Sequence, residues 1–141
     1  MVALGSRIRC VQWQEGSVEI QKDLVAASAT PLVLAILAEG DSYGYAIIKR
    51  VSELSGGELQ WTDGMLYPVL HRLERLGYVK GKWGTSETGR KRKYYQLTAR
   101  GRAQLAEQRQ QWQTVDTALR NIWRAVLLPV PPALVPLPSY G

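Results

Sequence analysis

One cysteine and one histidine among 141 residues leave little scope for redox or metal chemistry. Cys10 has no partner within the chain for a disulfide, and no Cys/His group has metal-ligand spacing, so neither a metal nor a cofactor is expected. The absence of disulfides fits a reducing, cytoplasmic setting. No basic segment followed by an apolar run opens the chain, and the apolar stretch near its end is broken by prolines, which argues against a secretion signal and against a membrane partner. No nucleophile paired with a base and no phosphate loop is present, so the chain does not read as an enzyme. Acidic residues are also few, 12 against 18 lysines and arginines, and the formal charge of +6 points to an acidic partner.

That charge is concentrated. Between Lys80 and Lys93 stand six basic residues, Lys80, Lys82, Arg90, Lys91, Arg92 and Lys93, against Glu87 alone, a local +5 of the chain's +6. In isolation a basic turn is often no more than a solvated hairpin tip. Its neighbours argue for more. Immediately before it, Leu66, Leu70 and Leu73 share one face of a helix, with Val69 and Leu76 flanking, while Tyr67, His71, Arg72 and Arg75 are left on the other. Gly77 suits a helix stop, and Tyr78-Val79 opens a strand. Helix, tight stop, strand, basic turn, strand is the layout of a winged helix-turn-helix, and the whole of Trp61–Thr98 is taken as its reading head.

The remaining segments extend this plan. Residues 1–17 lack periodicity and are expected to be a disordered extension, with Val18 an alternative start of the domain-like sequence. Glu19–Ala38 is expected as helix one, directed inward by Ile20, Leu24, Leu34 and Leu37 and interrupted at Thr30-Pro31. Asp41-Ser42 offers N-caps for a second helix running from Tyr43 to about Leu54, ended by Gly56-Gly57. The start of that helix, with the Ser42 and Tyr43 hydroxyls, suits a DNA phosphate, although capping by Ser42 alone accounts for the same residues. Glu58–Trp61 reads as a short strand or link, and helix three starts near Asp63, capped by Thr62 or Asp63. Wing strands are expected over Lys80–Trp83 and Lys93–Leu97.

Thr98 caps a last helix reaching about Val126, and its pattern is a heptad: Leu105, Trp112, Leu119 and Val126, with Gln108, Val115 and Ile122 between them. Such a seam exceeds what a small domain covers, which points to a homodimer; folding back onto helix one of the same chain is the other solution. The tail beyond Leu128 holds five of the seven prolines and is expected to be polyproline-like, a flexible end or a ligand for an SH3-like partner. The expected architecture is therefore mainly α with a small β-wing. It divides into the extension (1–17), a winged helix-turn-helix domain (18–98), a C-terminal dimerisation helix (99–128) and a proline-rich flexible tail (129–141).

Three phrases, Glu39–Tyr45 (EGDSYGY), Gly64–Glu74 (GMLYPVLHRLE) and Arg92–Thr98 (RKYYQLT) followed by Gly101, resemble the PadR-type transcriptional regulators over about Asp23–Trp123. The resemblance implies a repressor that binds a pseudo-palindromic operator as a dimer and is often released by a small molecule. It also implies a proline within helix three, as at Pro68, and gives no role for the extension or the tail. The short C-terminal region resembles the compact subgroup with one dimerisation helix, in some of whose multidrug-responsive members a tryptophan stacks planar aromatic ligands; Trp112 falls at that position.

In helix-turn-helix geometry helix three enters the major groove of double-stranded DNA, and two copies lie ~34–36 Å apart. Gly64, Tyr67 and Arg72 are then the leading contacts, bordered by Thr62 and Pro68. Arg90, Lys91 and Arg92 of the wing follow the phosphates. Leu105, Trp112, Val115, Leu119, Ile122 and Val126 form the dimer seam, and Trp112 with Val115 the planar effector slot, unless Trp112 only fills the seam. A winged-helix protein-interaction module that does not bind DNA specifically is the alternative, its basic turn meeting an acidic protein.

Overall fold

The computed structural model describes residues 19–127, so the expectations for the extension and the proline-rich tail lie outside the described residues. Four helices and three short strands follow in order: α1 (Lys22–Glu39), β1 (Ser42–Tyr43), α2 (Gly44–Leu54), α3 (Asp63–Arg75), β2 (Val79–Thr85), β3 (Lys91–Leu97) and α4 (Ala99–Val126). This is a winged helix with a long C-terminal helix, mainly α with a small antiparallel sheet. Packing separates a first unit ending at Leu105 from a second beginning at Ala106.

α1 departs from expectation by running unbroken through Pro31. A mid-helix proline costs about 3 kcal/mol in lost bonding and ring contact. Ala29 and Thr30 before it and Val33, Leu34, Ile36 and Leu37 after it are all buried, and each large apolar side chain contributes about 1.5–3 kcal/mol. Burial on both sides of the proline therefore offsets that cost and keeps the helix continuous. Leu24, expected to face inward, is exposed instead.

The chain then turns at Gly40 and pairs before it coils. Ser42 and Tyr43 form β1, opposite Tyr95 and Tyr94 of β3, so the sheet has three strands in the order β1-β3-β2, not the two of a bare wing. The expected N-cap by Asp41 or Ser42 is thereby corrected: α2 starts at Gly44 behind Tyr43, with no side-chain cap. Ile47 and Val51 bury its inner face, whereas Leu54 is exposed. Arg50 ties α2 back to the end of α1 by donating to both carboxylate oxygens of Glu39, at 3.0 and 2.8 Å, and this hydrogen bonding holds the Glu39 carboxyl below its ordinary pKa.

α3 begins where its cap predicts. Thr62 Oγ1 accepts from the Met65 amide, and Leu66, Val69, Leu70 and Leu73 supply the buried face. Its stop is a Schellman turn: the Tyr78 amide donates to the Leu73 carbonyl (2.9 Å) and the Gly77 amide to that of Glu74 (3.1 Å), with Gly77 at φ +83°. Only glycine takes that conformation without cost. β2 and β3 then pair from Val79↔Leu97 to Thr85↔Lys91, longer than the expected wing strands. Thr98 caps α4 by accepting from the Gly101 amide, and its hydroxyl lies 2.7 and 3.0 Å from the Gly77 and Tyr78 carbonyls. One threonine thus joins the start of α4 to the end of α3.

Candidate nucleic-acid interface

The outer face of α3 is left free by the core: Thr62, Asp63, Gly64, Tyr67, Pro68 and His71 are exposed while the intervening leucines are buried. Beside it runs a groove of about 800 Å³ bounded by the start of α2, by Tyr67 and His71 of α3, and by Trp83 and Arg90 to Lys93 of the wing. A helix face and four consecutive cations therefore border one concave surface.

Tyr67 does more than face outward. Its ring lies 6.3 Å from that of His71, and its hydroxyl end packs on Gly44, where an added Cβ would collide with Oη and Cζ. Gly44 is thus required by the seating of Tyr67, and the first turn of α2 registers α3 through that contact. Gly64 is the opposite case. A Cβ there would meet nothing nearer than Thr62 Oγ1 at 4.0 Å, and its φ is not positive. Among the described residues nothing crowds the position, so the backbone at 64 is open to close approach from outside.

Arg72 is less free than its helix position suggests. Its Nη2 donates to Thr30 Oγ1 of α1 at 2.6 Å, so one arm of the guanidinium is anchored within the domain while the residue remains exposed. Thr62 is occupied in capping, and Pro68 stands exposed on the same face. Ser42 and Tyr43 lie in β1, and Tyr43, at the N-cap position of α2, makes no side-chain cap bond. The Arg92 guanidinium sits 3.9 Å from the Tyr43 ring centroid, and that ring meets Tyr94 edge-on at 5.6 Å.

At the wing tip the Ser86–Arg90 turn is closed by two backbone bonds and by the Ser86 hydroxyl accepting from the Arg90 amide. Gly89, at φ +83°, makes that turn possible. Among the described residues no carboxylate pairs with Arg90, Lys91 or Arg92. Three unneutralised cations, Arg90 at the turn and Lys91 and Arg92 at the start of β3, suit polyanion binding. Trp83, 68% exposed beside Lys91 and Lys93, also lines the groove, although strand patterning alone gives it no binding role. The signal available was an aromatic placed directly after Lys82 in the basic run.

In α4, Trp112, Val115, Leu119, Ile122 and Val126 are all exposed, and Trp123 and Leu127 widen the apolar stripe. Leu105 differs. It is partly buried against the core of the first unit. Among the described residues no helix is long and apolar enough to cross a membrane.

Comparison with known proteins places these features in a wider group. The model of the transcriptional regulator PadR-like family matches residues 33–107. A protein of Lysinibacillus sphaericus is 31% identical over 96 residues, 68% of this chain and 88% of that one. Among solved structures, a transcriptional regulator from Clostridium thermocellum is 29% identical with a TM-score of 0.66, covering 73% of this chain and 97% of that chain. A PadR-like transcriptional regulator from Bacillus cereus strain ATCC 14579 is 27% identical with a TM-score of 0.64, covering 73% and 98%.

Proposed function

Because this chain belongs to the transcriptional regulator PadR-like family, we propose that it is a sequence-specific repressor that binds a pseudo-palindromic operator as a homodimer. The observation that carries the proposal is the shared groove, in which the exposed face of α3 and the unpaired cations Arg90, Lys91 and Arg92 border one surface. In this reading α3 supplies sequence choice in the major groove, through Gly64, Tyr67 and the free arm of Arg72. The wing supplies affinity. Binding to a long acidic polymer of any sequence would need the cations alone, whereas the open glycine at 64 favours an approach close enough to read bases.

Selection of bound duplexes from a random pool, followed by mobility shifts across a salt series, tests this directly. A selected pool with dyad symmetry and a salt-sensitive shift is the expected result. Failure to shift any duplex would favour a protein-binding module. Within the same assay, neutralising Arg90 and Arg92 together is expected to flatten log affinity against log salt by roughly 0.9 for each phosphate that the wing no longer neutralises. An unchanged slope would remove the wing from the interface.

The seam of α4 supports two further parts of the proposal. Its apolar stripe from Trp112 to Val126 is exposed in the single chain, and a second copy is the economical cover. Trp112 and its mate then line a flat slot for a planar aromatic effector, which derepresses only by favouring a dimer spacing unsuited to the operator. Planar dyes are expected to quench tryptophan emission in the wild type and markedly less in Trp112→Ala. Equal quenching in both would discard the slot.

A further inference from the structure

One carboxylate joins the reading helix to both wing strands. In the last turn of α3, Glu74 Oε1 accepts from Lys93 Nζ of β3 at 3.1 Å, and Oε2 accepts from the Gly81 amide of β2 at 3.2 Å. Gly81 makes room for the arrangement. A Cβ at that position would collide with the Lys93 side chain and lie 2.8 Å from Glu74 Oε2, although its φ is not positive. A Cβ at 81 would thus displace the ends of the Lys93 and Glu74 side chains from their present pairing.

The pair is unusual in its surroundings. Lys93 lines the same groove as Arg90, Lys91 and Arg92, and it is the member of that run whose charge is met by a carboxylate. Its ammonium is held charged, with the pKa raised chiefly by the hydrogen bond to Glu74 against the opposing effect of burial. The side chains keep 35% (Glu74) and 26% (Lys93) of their exposure, and an ion pair so accessible to solvent adds little to stability. A negative charge at the edge of a polyanion-binding groove also weakens attraction for every duplex. A role in folding alone accounts poorly for both facts.

We propose that Glu74 is a specificity-determining residue that withholds Lys93 from the DNA backbone and fixes the wing against α3. The inference rests on the DNA-binding reading above. Non-specific affinity comes almost wholly from phosphate contacts, while base contacts add only at the correct site. Keeping one cation away from the phosphates lowers binding to all sequences. Holding the wing at one angle preserves the contacts that only the operator satisfies. Together these widen the gap between operator and random DNA.

Binding of the full chain to its selected operator and to a random duplex, by fluorescence anisotropy over a salt series, tests the idea. Glu74→Gln retains an acceptor for the Gly81 amide but releases the lysine. It is expected to bind random duplex more tightly, to steepen the salt slope by about 0.9 as one more phosphate is neutralised, and to lower the ratio of operator to random affinity. Lys93→Met alone should leave the slope as in the wild type, and adding it to Glu74→Gln should return the slope to that value. If Lys93→Met itself flattens the slope by about 0.9, Lys93 already grips phosphate and the proposal is overturned. It is equally overturned if Glu74→Gln changes only the melting temperature, or steepens the slope with an unchanged ratio. A wild type that binds neither duplex in a salt-dependent way would instead remove the DNA-binding reading beneath it.

Discussion

Gly101→Ala is expected to lower the stability of the winged unit by about 2 kcal/mol, an effect produced by a single added methyl group. Gly101 is buried in the first turn of α4, where a Cβ would collide with the Tyr78 carbonyl oxygen and approach Leu97 Cδ1 to 2.7 Å. The carbonyl has little freedom to yield. It accepts from the Thr98 amide at 3.1 Å and lies 3.0 Å from the Thr98 hydroxyl, while the Tyr78 amide is held by Leu73 in the turn that ends α3. Overpacking a rigid contact costs about 1–3 kcal/mol, and the upper end applies because the obstruction is backbone. Better helix propensity returns about 1 kcal/mol, so the collision wins by about 2. For a folding unit near 100 residues this corresponds to a fall in Tm on the order of 10 °C. Thermal melting followed by circular dichroism measures it, and an unchanged or higher Tm would show that α4 is free to move away from the α3–β2 turn.

The same residues show which parts of the fold are legible in sequence. Thr62, Gly77 and Thr98 act within a few positions of the groups they cap, so α3, its stop and the start of α4 are readable from residue type and spacing. The wing is similarly local, since a hairpin brings its own partners. What escapes depends on residues far apart in the chain. β1 exists because Ser42 and Tyr43 meet Tyr95 and Tyr94, more than fifty positions away, and no alternation is detectable in two residues. α1 continues through Pro31 because of the core that gathers around it, which no local rule includes.

Side-chain partners are harder still to foresee. Helical spacing puts Arg72 on the outer face of α3, and it is exposed, but its bond to Thr30 spans 42 positions and depends on how α1 crosses α3. In the run from Lys80 to Lys93, charge alone makes Lys93 one of six equal cations. Folding makes it different by bringing Glu74 alongside, 19 positions earlier and on another element. Periodicity alone likewise assigns Leu105 to the same seam as Trp112 and Leu119, yet it packs on the core. A heptad names a face of a helix, and what covers each turn of that face is decided elsewhere.

That distinction fixes where the proposed dimer is best tested. The part of the seam exposed in a single chain runs from Trp112 to Val126, so Leu119→Glu changes an apolar contact between copies without touching the core of the winged unit. A buried carboxylate facing its own symmetry mate is doubly unfavourable, since it is desolvated and meets a like charge. The variant is expected to sediment as a monomer where the wild type is a dimer, with an unaltered melting transition for the winged unit. Operator affinity should then fall by about 10²–10⁴-fold, because the second half-site loses the high effective concentration that linkage to the first provides. Binding to random duplex, set by the cations of each wing, should change much less. This contrast separates loss of the dimer from damage to the reading surface, which would depress both. If Leu119→Glu remains dimeric and binds the operator as the wild type does, the exposed stripe of α4 is covered by something other than a second copy, and the spacing of the two reading helices must be set elsewhere.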